Sequence, residues 1–172
     1  MSVADRTPVL IGAGQVTEQV PDDLREASSY VDLAAMAVER AIADTGAEPL
    51  TARIDAVAAV RTFEDTMPGS ERAFNGPRNL PRSVAKRIGA DPGLAIYEKL
   101  GGQSPQRMVN EFAERCHRGE CGMALLFGVE VIANVRAARR AGIELDWSEP
   151  DLGEFTDRGG DEISKLMTPD LI

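Results

Sequence analysis

The 172-residue chain is poor in the side chains that do most covalent and metal chemistry: it has one histidine, His117, and two cysteines, Cys116 and Cys121. Two cysteines are too few for a disulfide scaffold, so the fold must rest on a packed core. Positive charge is also short. Nineteen Lys and Arg stand against 28 Asp and Glu, a net charge of −9. Phosphate backbones bind to clustered bases that release counterions, so no nucleic acid is expected as a partner. Long apolar runs are missing too. None approaches the roughly 20 residues needed to span a bilayer, so no membrane is expected either. Where a secretory signal needs its apolar core, the amino terminus has Asp5, Arg6 and Pro8, and the expected compartment is the cytoplasm.

What is present is apolar and periodic. Hydrophobic residues make up 43% of the chain, enough at this length to offset the entropy of ordering with a sizeable core. The negative charge is uneven. Between Ile143 and Ile172, nine acids face two bases, so seven of the nine excess negative charges sit there. This predicts an α/β domain over residues 1–142, followed by an acidic segment over 143–172.

Within the first part, Pro8 to Gln15 is a short apolar run ending in glycines and reads as a buried first strand. Val31, Ala34, Ala35, Val38 and Ile42 recur at helical spacing from Ser29 to Thr45, with Gly46 as a stop signal. Ile54 to Phe63 reads as a second strand, and Glu64 to Arg78 as a long polar loop. Asn79 precedes a short helix, Pro81 to Ile88, and Leu94 to Leu100 is a third strand broken by Gly101-Gly102. Ser104-Pro105 pairs an N-cap residue with a first-turn proline and opens a helix with the stripe Met108, Val109, Phe112, Ala113, Cys116. Met123 to Val129 is almost continuously apolar, the pattern of a strand covered on both faces, and a last helix runs from Ile132 to Ala141. Alternating strands and helices predict a mostly parallel sheet with helices on both faces. Thr168-Pro169-Asp170 then reads as the start of a further helix.

In such a sheet, ligands bind beyond the carboxyl ends of the strands. That edge holds Gly14-Gln15, Arg61-Thr62, Gly101-Gly102 and Val129-Glu130. Gly12-Ala13-Gly14 follows a strand as a dinucleotide motif does, but position 17 is Thr, and Pro21-Asp22-Asp23 delays the helix that pyrophosphate needs. Cys116, His117 and Cys121 lack the paired spacing of structural zinc, and Cys116 belongs to an apolar stripe. Cys116 also lies 12 residues beyond Ser104, about 18 Å along the helix, at the end away from the ligand edge. Ser104 resembles a hydrolase nucleophile, but no His can reach it, and N-capping is its plainer role. The turn itself is the better signal. Gly101-Gly102 feeding a helix would present backbone N–H groups and the positive end of the helix dipole to an oxyanion or a thiolate.

These elements resemble the amino-terminal half of the thiolase superfamily, in its acetyl-CoA acetyltransferase-like group related to sterol-carrier-protein thiolases. The resemblance runs from about Thr7 to Ala141. It is carried by Arg6 to Gln15, Asp32 to Ala37, Ile54 to Val57, Gly101-Gly102-Gln103-Ser104-Pro105-Gln106, and Leu126-Phe127-Gly128-Val129-Glu130. It implies a thiolase-like α/β fold, an acyl-CoA substrate with no separate cofactor, and substrate contacts at Gly101, Gly102, Gln103 and Ser104. In the family, a Cys in this turn takes the acyl group. Counting back from Gly128-Val129-Glu130 places that position at Gly102, which cannot form a thioester. The family's other catalytic residues lie in a second half that this chain does not contain.

The resemblance also implies a homodimer paired along Leu94 to Leu100, and makes the acidic stretch from Ile143 the start of a loop region that helps bind CoA. Three readings follow. The first is a thiolase-like acyl-CoA protein without activity alone. The second is an aldolase acting on CoA thioesters without a cysteine, with Tyr97 or Glu130 as acid or base, although a structural role is the plainer reading of each. The third is a non-catalytic dimerising subunit of a larger acyl-CoA partner protein.

Overall fold

Ser29 starts the first helix by a reciprocal cap: its hydroxyl accepts from the Asp32 N–H at 3.1 Å, and Asp32 accepts from the Ser29 N–H. The computed structural model describes residues 6–47, 50–66 and 72–159. Helix α1 is Tyr30–Asp44, followed by β1 (Ala56–Val60), α2 (Leu80–Arg87), β2 (Leu94–Glu98), α3 (Ser104–Arg118), β3 (Ala124–Phe127), α4 (Ile132–Ala141) and β4 (Thr156–Asp157). Asn79 caps α2, with Pro81 in its first turn. Gly119 and Gly142 end α3 and α4 in the left-handed conformation that glycine adopts without a steric penalty.

The sheet order is β3-β1-β2-β4, and every pairing is parallel. Side chains alternate between its faces. Ala56, Ala58 and Ile96 turn toward Met108 and Phe112 of α3. Ala59 and Tyr97 turn the other way, into a core with Val31 and Val38 of α1, Val84 of α2 and Val135 of α4. This is the α/β architecture with helices on both faces that the sequence predicts.

Two expectations change. Pro8 to Gln15 is not a strand: it runs irregularly, with Val9, Leu10 and Ile11 exposed. Both edges of β1 are already paired, by β2 and β3, so the middle of the sheet has no vacant place. The run lies instead on the second half of α1, where the Ala13 N–H donates to Asp44 at 3.0 Å and Arg40 donates to the Gln15 carbonyl at 2.8 Å. Its glycines permit this approach. A Cβ on Gly12 would lie 2.2 Å from the Ala41 carbonyl oxygen, and one on Gly14 2.2 Å from that of Ala37. The second change concerns β3, which is an outer strand with all four residues only half-buried, rather than one covered on both faces.

Beyond Gly142 the chain returns to the same core. Trp147 is buried edge-on against Phe74 and Tyr30, with ring centroids 5.0 and 5.9 Å away, and its backbone N–H donates to the Phe74 carbonyl at 2.7 Å. Phe74 itself holds a positive φ of 53°, a conformation non-glycine residues adopt where surrounding packing enforces it. Farther on, β4 lies on β2 with Thr156 opposite Ile96 and Asp157 opposite Tyr97. It thus occupies the edge along which a strand-paired homodimer would form. The helix start read at Thr168-Pro169-Asp170 lies outside the described residues.

Candidate functional site

The carboxyl ends of β1 and β2 bring Arg61, Thr62, Tyr97 and Glu98 together, and the Gly101–Ser104 turn and Glu130 join the same edge. Gly14-Gln15 does not, because it sits against α1. Between the ends of β1 and β3 and the first turns of α3 lies an open groove of about 510 Å³, with Val60, Met108, Leu126 and Phe127 among its apolar lining and Arg61 and Glu130 as its charged members. A concave apolar surface with a few placed polar groups is the usual form of a small-molecule site.

The turn differs from its sequence reading in one respect. Gln103 is the N-cap, without a side-chain bond, and Ser104 is already the first helical residue. The Ser104 hydroxyl is completely buried and has no partner among the described residues, so it does not cap the helix. Its N–H closes onto the Gly101 carbonyl at 2.9 Å, and Pro105 has no N–H, so fewer amides face outward than a free helix start provides. The helix dipole remains. Around Gly102 there is space: a Cβ built there meets nothing within 4 Å, whereas one on Gly101 would lie 2.9 Å from the Gln103 side chain.

Tyr97 is fully buried. Its hydroxyl donates to Asp65 at 2.7 Å and accepts from the Thr62 N–H at 3.2 Å, while the Arg61 guanidinium lies 4.4 Å from its ring centroid. Burial, with the Asp65 carboxylate beside it, pushes the hydroxyl above the ordinary tyrosine range. Its proton is thereby committed to holding the loop after β1. Tyr30 behaves alike: it donates to Glu64 at 3.0 Å, and burial followed by the Glu64 charge raises its pKa.

Glu130 is an exposed carboxylate of this edge. It accepts from the Phe63 N–H at 2.5 Å. Desolvation by the surrounding chain raises its pKa, with the Glu64 and Asp65 charges adding to the effect and the Phe63 N–H opposing it. A carboxyl shifted this way is better suited to proton transfer near neutral pH than an ordinary surface glutamate.

A second network, unseen in the sequence, braces the turn from below. The fully buried Glu98 accepts from the Lys99 N–H at 2.8 Å, from Arg107 of α3, and from Arg158 at 3.1 Å. Arg158 also binds Glu111 in a bidentate pair at 2.5 and 2.8 Å. Arg61 is paired with Asp157 of β4. The only hint in the sequence is the acid at the end of an otherwise apolar strand.

At the opposite end of α3, His117 Nδ1 lies 3.2 Å from the Arg6 carbonyl oxygen. Among the described residues, no three His, Cys, Asp or Glu side chains gather to hold a metal ion. No helix among them is long and apolar enough to cross a membrane.

No protein-family model matches the chain, and no curated protein matches it. Among solved structures, it is similar to a monomeric SCP2-thiolase-like protein type 1 from Mycobacterium smegmatis, at 38% identity and a TM-score of 0.60. The match covers 74% of this chain and 24% of the other, so this chain spans about a quarter of its neighbour's length. With its parallel sheet, its glycine turn ahead of α3 and this likeness, the chain has a thiolase-like fold.

Proposed function

We propose that the chain is a thiolase-like acyl-CoA protein whose groove takes the acyl part of a CoA thioester and which forms no acyl-enzyme by itself. Gly102 carries this reading. The turn where thiolases present an acyl-accepting thiolate has no side chain here, although the backbone leaves room for one. Cys116 and Cys121 lie at the far end of α3 and do not replace it. The remaining groups of an acyl-CoA site would come from a larger acyl-CoA partner protein. A homodimer along Leu94 to Leu100 would first have to displace β4.

Titration calorimetry with acetyl-CoA, followed by intact-mass measurement under acid, tests both halves of the proposal. Binding heat without an acetyl adduct is expected. Absence of binding overturns the ligand assignment, and a thioester on either cysteine overturns the inactive reading.

Glu130 favours a second reading, a cysteine-independent aldolase acting on CoA thioesters. Its accessible, upshifted carboxyl stands at the groove, whereas the hydroxyl of Tyr97, the other candidate, is already engaged. Release of an aldehyde or ketone from a 3-hydroxyacyl-CoA by the wild type, lost in Glu130→Gln, would establish it.

A further inference from the structure

Cys116 and Cys121 are separated by a single helix terminus. Gly119 has a φ of +74°, and its N–H donates to the Cys116 carbonyl at 3.0 Å while the Glu120 N–H donates to that of Arg115 at 2.9 Å. This left-handed ending reverses the chain beneath the last turn of α3. Cys121 thus returns into the apolar cluster against which Cys116 packs, so both thiols belong to one cluster at the end of α3. Both are free.

The pair is asymmetric. Cys121 is buried, and its Sγ donates to Asp55 Oδ1 at 2.9 Å. Asp55 is anchored in turn by the N–H groups of Gly122 at 2.7 Å and Met123 at 3.3 Å. Cys116 is only half-buried and therefore the more accessible of the two. The exposed member of such a pair is the one an oxidant reaches, and the buried one resolves the adduct.

We propose that Cys116 and Cys121 form a reversible intramolecular disulfide at the carboxyl end of α3, with Cys116 as the attacking thiol and Cys121 as the resolving one. The oxidant is a low-molecular-weight disulfide. Cys116 attacks one of its sulfurs and gives a mixed disulfide on Cys116 plus one released thiol, which carries away the proton. Cys121 then attacks the Cys116 sulfur, expels the second small thiol with its own proton, and closes the protein disulfide. Two protein thiols are oxidised and one small disulfide is reduced to two thiols. The bond lies about 18 Å along α3 from the glycine turn, so it forms without blocking the groove.

The test is incubation of the wild-type protein with oxidised glutathione, then unfolding, alkylation and mass spectrometry, with and without dithiothreitol. Both cysteines should be protected together, without retained glutathione, and both should react again after reduction. Cys121→Ser should trap a stable glutathione adduct on Cys116, whereas Cys116→Ser should leave Cys121 free to alkylate. Glutathione that persists on wild-type Cys116, disulfides only between chains, or two alkylated cysteines after oxidation would each overturn the proposal.

Discussion

Arg158 donates at 3.1 Å to Glu98, a carboxylate with no exposed surface, from a position 60 residues later in the chain. It fastens the segment after β4 to the end of β2. Removing the guanidinium leaves a buried charge short of one partner, with Arg107 and the Lys99 N–H remaining. Arg158→Ala should therefore cost about 2–4 kcal/mol, read as a lower urea midpoint.

The same residue sets a pH dependence. Arg158, and then Arg115, hold the Glu111 carboxyl down at about 2, from an ordinary 4.5. A depressed carboxylate contributes stability that is complete above its unfolded pKa and is lost as pH falls toward its folded one. Stability should therefore decline between about pH 4.5 and 2, and Arg158→Ala should flatten that part of the profile. An unchanged slope in the variant would remove Glu111 from the account.

Glycine substitutions should separate close approach from empty space. Gly14→Ala places a methyl against the backbone of α1 and should destabilise by about 1–3 kcal/mol, because backbone cannot rotate aside. Gly102→Ala enters open space and should change stability by no more than about 0.5 kcal/mol. Gly102→Cys should fold as well, and its thiol at the head of α3 should alkylate faster than buried Cys121.

Ser104→Ala distinguishes a capping hydroxyl from a stranded one. Loss of a true cap costs about 1 kcal/mol. Here the buried hydroxyl has no partner among the described residues, so its removal should be neutral or stabilising by up to about 1 kcal/mol in chemical denaturation.

The helices were legible because their ends carry local chemistry: the Ser29 and Asp32 cap, the Asn79 cap, and the glycines at 119 and 142 act within a few residues of themselves. Pro8 to Gln15 misled for the opposite reason. An apolar run has the same pattern whether it pairs with a strand or packs on a helix, and here Asp44 and Arg40 of α1 take its backbone groups. The Gly101–Ser104 turn could be found from sequence, since a strand, two glycines and a first-turn proline are contiguous. Its bracing could not. Glu98 finds Arg107 nine residues away and Arg158 sixty away, separations with no period to betray them. At two residues, β4 is too short to show an alternation at all.

Trp147 is the chain's one tryptophan, and it belongs to the segment beyond Gly142 rather than to any strand. The protein therefore has a built-in optical reporter on that segment's docking. An intrinsic fluorescence trace follows the release of Trp147 from Phe74 and Tyr30, while far-ultraviolet dichroism follows the helices. Coincident curves would mean that the segment around Trp147 and the helices melt as one unit, and an earlier fluorescence change would mean that this segment peels away first.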